Sequence, residues 1–178
     1  DIGADKGDTA IYFADRVGEL GRVYSFEPVA ANYRDLLRTI RENGLEEIVI
    51  PVNKGCAGRS GGMQATSSAA GAAWSFLSEA GGTEEVELTS VDEFVESEKL
   101  ERVDFIKMDV EGMEEEVIGG MRETVRRFSP KLAIPLYHRA GDLTNIPLLI
   151  EEMGDYRMYI RCKVEGPYGI NLYCERRC

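Results

Sequence analysis

Asp1-Ile2-Gly3-Ala4-Asp5-Lys6-Gly7 opens the chain, and the residues from Asp8 through Val17 follow it with helical spacing. An acid followed by two spaced glycines, ahead of a helix, is the pattern of a strand-to-helix turn built around a small cofactor. The glycines admit positive φ and let a ligand come close to the backbone. The free N–H groups of the first helical turn face whatever sits in the loop. Asp1 at the head of the loop repels a pyrophosphate and attracts an amine or a sulfonium, which points away from dinucleotides. No apolar strand and no initiator methionine precede Asp1. On a parallel-sheet reading the first strand is therefore truncated, and the chain is expected to be a fragment of a longer protein.

Working outward, Thr9, Ala10, Ile11, Phe13, Ala14 and Val17 form an apolar helical face that Gly18 and Gly21 terminate. A strand from Arg22 to Phe26 ends in Glu27-Pro28, since proline has no donor for a ladder. Ala30 to Asn43 is a surface helix carrying Tyr33, Leu36, Leu37 and Ile40, and Ile48 to Val52 is a buried-strand run that ends at Asn53. From Gly58 to Gly82 the composition turns to Gly, Ser and Ala around a single Trp74; residues 58–82 are expected to form a flexible insertion. Glu84 to Leu88 alternates as a strand, and Ser90-Val91-Asp92-Glu93 has capping-box form ahead of a short helix. Val103 to Met108 is a strand ending in Asp109-Val110-Glu111-Gly112, and the helix after it, from Met113 to Phe128, breaks at Gly119-Gly120. Leu132 to Tyr137 is a strand ending at His138, in which Pro135 predicts a bulge or an irregular edge. Ile146 to Met153 is helical, and Tyr156 to Cys162 with Ile170 to Cys174 form a strand pair joined by a Gly-Pro loop.

Strands alternating with helices predict one α/β domain over residues 1–178, a mostly parallel sheet with helices on both faces and an antiparallel C-terminal strand pair. Ligands of such sheets sit beyond the carboxyl ends of the strands. Asp1, Glu27, Asn53, Asp109 and His138 all fall at such ends.

With 178 residues and 43% hydrophobic content the chain can bury a good core. A formal net charge of −11 repels a phosphate backbone and argues against a nucleic-acid partner. No apolar run approaches the ~20 residues of a membrane span, so a soluble, cytoplasmic protein is expected. Cys56, Cys162, Cys174 and Cys178 contain no CxxC pair, and the single histidine offers no zinc spacing. Reduced thiols and no metal are expected, although Cys162 and Cys174, on adjacent strands, allow a bridge in principle.

Glu27, about twenty residues after the glycine loop, is placed to accept from both hydroxyls of a ribose; the plainer reading is a solvated acid at a strand end. Asn53 is either a reader of an adenine edge or a turn residue. Lys107 and Asp109 share one face of their strand, so Lys107 either pairs with Asp109 or Glu111 or orients a substrate hydroxyl. Glu114-Glu115-Glu116 reads as a solvated helix start favoured by the macrodipole. His138 titrates near neutrality and is a candidate general base. Its plainer reading is a structural histidine bonded to Asp142 or to a carbonyl, and Asp109 and Glu111 compete for the base role.

Asp1 to Gly7 with Phe26-Glu27-Pro28, then Asp104 to Gly112, then Tyr137-His138 followed by Asp142 and the Ile146-Pro147 helix, resembles the FkbM family of S-adenosylmethionine-dependent methyltransferases. The resemblance implies a Rossmann-like methyltransferase three-layer sandwich and methyl transfer to a hydroxyl of a sugar or another small natural product. By position, Asp1, Gly3, Ala4 and Gly7 line the methionine end of S-adenosylmethionine, Glu27 takes the ribose, Asn53 lies near adenine, and Asp109 closes the pocket beside the methyl group. His138, Asp109, Lys107 and Glu111 form the expected catalytic set. Two readings stand beside this one: a non-catalytic domain that keeps the fold for binding or assembly, and an NAD-dependent oxidoreductase, which the acid ahead of the glycines disfavours.

Overall fold

The computed structural model describes residues 1–61, 63–68, 75–78, 84–162 and 169–177. Trp74, the Gly166-Pro167 loop and Cys178 lie outside the described residues. In chain order the elements are α1 (Asp8–Val17), β1 (Val23–Phe26), α2 (Ala30–Glu42), β2 (Val49–Val52), β3 (Gly55–Cys56), β4 (Met63–Ser68), β5 (Ser75–Ser78) and β6 (Glu84–Thr89). They continue as α3 (Val91–Ser97), β7 (Phe105–Lys107), α4 (Glu114–Gly119), α5 (Arg122–Phe128), β8 (Lys131–Pro135), α6 (Asp142–Glu151), β9 (Tyr156–Cys162) and β10 (Ile170–Arg176). Among the described residues no helix is long and apolar enough to cross a membrane. Contacts divide the chain into two compact units, Asp1–Gly55 with Gly61–Leu88 and Cys56–Ser60 with Thr89–Cys178.

In the first unit β1 and β2 pair in parallel, Val23 opposite Val49 and Phe26 opposite Val52. Ile2 makes a parallel bridge to Phe26. Phe26 N–H donates to the Asp1 carbonyl, and Gly3 and Ala4 donate to the Phe26 carbonyl. Asp1 and Ile2 thus pair beside β1 before the chain turns into the glycine loop. The core of this unit is small at its helical face: Ala10 and Ala14 of α1 meet Ala4, Val23, Leu36, Ile40 and Val49. Alanines at that spacing let α1 lie close to the strands while keeping high helix propensity. The segment expected to be a flexible insertion carries strands where it is described, β4 pairing antiparallel with β5 and with β6.

In the second unit β7 and β8 are parallel, β10 is antiparallel to both β8 and β9, and the strand order is β7-β8-β10-β9. This is the expected C-terminal antiparallel pair. Ile106, Met108, Leu132, Ile134 and Leu172 are buried on the sheet, with Val117, Ile118, Met121, Ile146 and Ile150 buried on the helices. Pro135 produces no bulge, because the register with β10 runs unbroken from Cys174 opposite Leu132 to Asn171 opposite Pro135. Backbone donors alternate in direction along a strand, and Leu136 N–H points to the Ile170 carbonyl of β10. The Pro135 nitrogen therefore faces the β7 side, where the last bond is Met108 N–H to the Ala133 carbonyl at 2.9 Å; the proline ends the β7–β8 ladder there and leaves the β10 side undisturbed.

The break between α4 and α5 has a packing cause. A Cβ on Gly120 would sit 2.3 Å from the Ala57 carbonyl oxygen, so only glycine fits. The next helix starts on a borrowed cap: Asp92 accepts from Glu123 N–H at 3.1 Å and Thr124 N–H at 2.7 Å. Ser90 caps α3 as its sequence predicts, accepting from Glu93 N–H at 3.2 Å. Cys162 faces Ile170 across the ladder while Cys174 faces Met158, so the two are separated along the strands and no disulfide joins them.

Candidate active site

The glycine loop in the first unit is held by a few specific bonds. Gly3 has φ +78° and Gly7 φ +100°. A Cβ on Gly7 would lie 3.0 Å from both Leu36 Cδ1 and Thr39 Cγ2, so α2 closes that position to any side chain. Asp5, a non-glycine at φ +46°, is held in this uncommon conformation by Glu27, whose Oε2 accepts from the Asp5 N–H at 3.0 Å. Glu27 Oε1 accepts from Val29 N–H at 2.9 Å. Thr9 Oγ1 donates to Asp1 Oδ2 at 2.7 Å, tying the acid to the first turn of α1.

Glu27 is not the solvated acid of the plainer reading; it is 5% exposed. Burial raises its pKa from 4.5 to about 7 against the lowering effect of the Val29 and Asp5 hydrogen bonds, with the Asp5 charge raising it further. The Asn32 side chain also hydrogen-bonds to this carboxylate, whose two oxygens offer two acceptor sites each, so capacity for a further donor remains. Asn53 is exposed and its Nδ2 donates to the carbonyls of Glu27 at 2.8 Å and Pro28 at 3.1 Å. The amide nitrogen thereby pins the chain after β1, leaving Oδ1 as the atom with which Asn53 would meet a base. Asp1, Gly3, Ala4, Gly7, Glu27 and Asn53 all belong to this unit.

The second unit gathers the other candidates around His138. The His138 side chain is 9% exposed, and its Nδ1 lies 2.7 Å from Glu114 Oε1. Its Nε2 lies 3.6 Å from Asp109 Oδ1 and 3.5 Å from Glu111 Oε2, longer than a well-formed hydrogen bond. Burial alone lowers the His138 pKa, but the Glu114 hydrogen bond and the charges of Glu114, Glu111 and Asp109 outweigh it and leave the imidazole above its ordinary value. Tyr137, its ring 4.4 Å from the imidazole, is pushed up to about 12 by burial and then by the same three acids. Glu111 adopts φ +53°, an uncommon conformation for a non-glycine residue and of the kind that concentrates at functional sites. Gly112 follows at φ +97°, with Arg139 Nε 3.2 Å from where its Cβ would lie. Lys107 is half-buried at the end of β7.

Two expectations change here. Glu114 is not a solvated helix start: it is 1% exposed, with Oε1 also accepting from Val110 N–H at 3.2 Å. Asp142 is not the hydrogen-bond partner of His138; its Oδ2 accepts from Arg139 N–H at 2.6 Å. Helical spacing held the missing signal, since Val117 and Ile118, three and four residues after Glu114, are fully buried and mark its face as the inner one. Asp109, which the family resemblance also sets beside the methyl group, lies in the second unit with His138. Donor atoms of Asp109, Glu114 and His138 lie within 4.8 Å of one another, and the short Glu114–His138 bond already links two of the three.

Several solved structures share this architecture. Methyltransferase FkbM from Methylobacillus flagellatus KT superposes with a TM-score of 0.76 at 22% identity, over 98% of this chain and 42% of that one. An rRNA-methylase candidate from Clostridium thermocellum gives 0.63 at 11% identity, over 99% of this chain and 83% of that one. Aeropyrum pernix fibrillarin, solved with S-adenosyl-L-methionine bound, gives 0.58 at 17% identity, over 98% of this chain and 64% of that one. The fold is therefore that of the Rossmann-like methyltransferases. Residues 1–162 match the sequence model of the Methyltransferase FkbM domain, and the chain belongs to that family. It spans less than half the length of the Methylobacillus protein. A search of curated proteins finds no match.

Proposed function

We propose that this chain carries out S-adenosylmethionine-dependent O-methylation of a hydroxyl on a small molecule such as a sugar. The observation that carries the reading is Glu27, a buried carboxylate bonded to the backbone of a glycine loop and retaining acceptor capacity beside its Asp5, Val29 and Asn32 partners. Such a group suits the two hydroxyls of a ribose. The loop residues Asp1, Gly3, Ala4 and Gly7 would hold the methionine end, and Asn53 Oδ1 would lie toward the base. Bound S-adenosylmethionine supplies a methyl group on a sulfonium, open to in-line displacement.

The chain's own contribution to the chemistry is proton removal. In the neutral imidazole with its proton on Nδ1, Nε2 accepts the proton of the acceptor hydroxyl as the new oxygen–carbon bond forms. Glu114, Asp109 and Glu111 then surround an imidazolium rather than a neutral ring, which stabilises the proton where it arrives. Lys107 would orient the hydroxyl.

The test is transfer of a labelled methyl group to a panel of hydroxylated sugars by the wild type and by His138→Ala. The variant is expected to lose about 10²–10⁴-fold in turnover with affinity for S-adenosylhomocysteine nearly intact. Unchanged turnover removes His138 from the mechanism, and transfer to amines in place of hydroxyls refutes O-methylation.

A further inference from the structure

We infer that Glu114 is the positioning residue of this site: it fixes His138 as the Nδ1–H tautomer and so presents Nε2 as the proton acceptor. The inference rests on the proposed methyl transfer only for its catalytic consequence; the tautomer itself follows from geometry. Glu114 Oε1 lies 2.7 Å from Nδ1, the length of a strong, charge-assisted bond. An ionised carboxylate can only accept, so this bond requires the proton to be on Nδ1. Glu114 is itself fixed. It is 1% exposed, it heads α4, and the same Oε1 accepts from Val110 N–H at 3.2 Å, which locks the carboxylate against the strand-end loop carrying Asp109 and Glu111.

The remaining groups around the ring do not compete for Nδ1. Asp109 and Glu111, on the loop after β7, face Nε2 at 3.6 Å and 3.5 Å. Asp142, at the start of α6, is engaged by the Arg139 N–H, Arg139 is exposed, and Tyr137 meets the ring edge to face. One carboxylate thus holds one ring nitrogen at short range, and the other nitrogen is directed at the acids that would receive a substrate hydroxyl. A ring flipped by half a turn would set Cδ2 against Glu114 and Cε1 where Nε2 now faces Asp109 and Glu111, leaving carbons toward all three acids.

His138 is the only histidine in the chain, so the nitrogen NMR spectrum of the full chain reports one imidazole and needs no assignment. Above the imidazole midpoint the wild type is expected to show the Nδ1–H tautomer. Glu114→Gln keeps an acceptor oxygen and is expected to keep that tautomer, whereas Glu114→Ala is expected to show mainly Nε2–H, the form ordinarily favoured in water. Where methyl transfer is detectable, Glu114→Ala is expected to lower kcat by about a hundredfold or more with the KM for the methyl donor unchanged, and Glu114→Gln to retain more of it. A wild type in the Nε2–H form overturns the inference without reference to any variant, as does a Glu114→Ala protein that keeps the wild-type tautomer or kcat. A wild type that is Nδ1–H but transfers no methyl group refutes the proposed function and leaves the Glu114 assignment standing.

Discussion

Replacing Glu27 with glutamine removes one buried titrating group, and the structure sets the size and sign of the result. The Glu27 pKa is raised from 4.5 to about 7, chiefly by burial, and each tenfold change in proton affinity corresponds to about 1.4 kcal/mol. Below the unfolded value both states hold the proton and Glu27 has no pH-dependent effect. Between the two values the folded state binds more protons than the unfolded state, so stability falls as pH rises. Above the folded value the full penalty, about 3 kcal/mol from the shift itself, is in place. Glutamine does not titrate, and its imperfect acceptance from the Asp5 and Val29 N–H donors is a constant offset. The stability of Glu27→Gln relative to wild type should therefore rise by about 3 kcal/mol between about pH 4.5 and about pH 8 and then level off. Urea unfolding of both proteins across that range, followed by circular dichroism, measures the slope. A flat difference would refute the raised pKa and with it the picture of Glu27 as a desolvated acid. A cofactor whose ribose favours the ionised form should release protons on binding near pH 6, about one unit below the Glu27 midpoint.

Three further outcomes follow from the same geometry. Gly7→Ala forces a side chain into φ +100° and within 3.0 Å of Leu36 and Thr39, and should lower stability by about 2 kcal/mol in urea unfolding. Asp92→Ala strips the side-chain acceptors from two backbone N–H donors at the start of α5 and should lower stability by about 1–2 kcal/mol, with faster amide exchange at Glu123 and Thr124 as the local signature. Because the 2.7 Å bond already joins Glu114 Oε1 to His138 Nδ1, treatment with EDTA should leave turnover unchanged; activity lost to EDTA and restored by Mg²⁺ or Mn²⁺ would make Asp109, Glu114 and His138 a cation site.

What could be read from the chain without a structure was mostly local chemistry. Gly3 and Gly7 mark a turn because few other residues reach positive φ, and Ser90 with Glu93 marks a helix start because the bond is three residues long. Glu27 and His138 stood out because each follows an apolar strand. Less legible were contacts set by distant partners. Three consecutive glutamates resemble a solvated helix start, yet Glu114 is turned inward toward a histidine 24 residues away. Asn53 resembles a base reader, but its amide nitrogen is taken by carbonyls 25 and 26 residues earlier. Pro135 suggests a bulge until the partner strands show which way its nitrogen faces. The Gly, Ser and Ala content after Gly58 hides the pairing of β4 with β5 and β6, because strand pairing depends on the neighbour as much as on propensity.

The most direct test of the cofactor reading is calorimetry of wild type and Glu27→Ala with S-adenosylhomocysteine and with NAD. Wild type should bind S-adenosylhomocysteine and not NAD, and Glu27→Ala should bind S-adenosylhomocysteine at least about tenfold more weakly, as expected for loss of a charged hydrogen-bond acceptor. Tight binding of NAD alone, or equal affinity of the two proteins for S-adenosylhomocysteine, would contradict the assignment of the glycine loop and Glu27 to this cofactor.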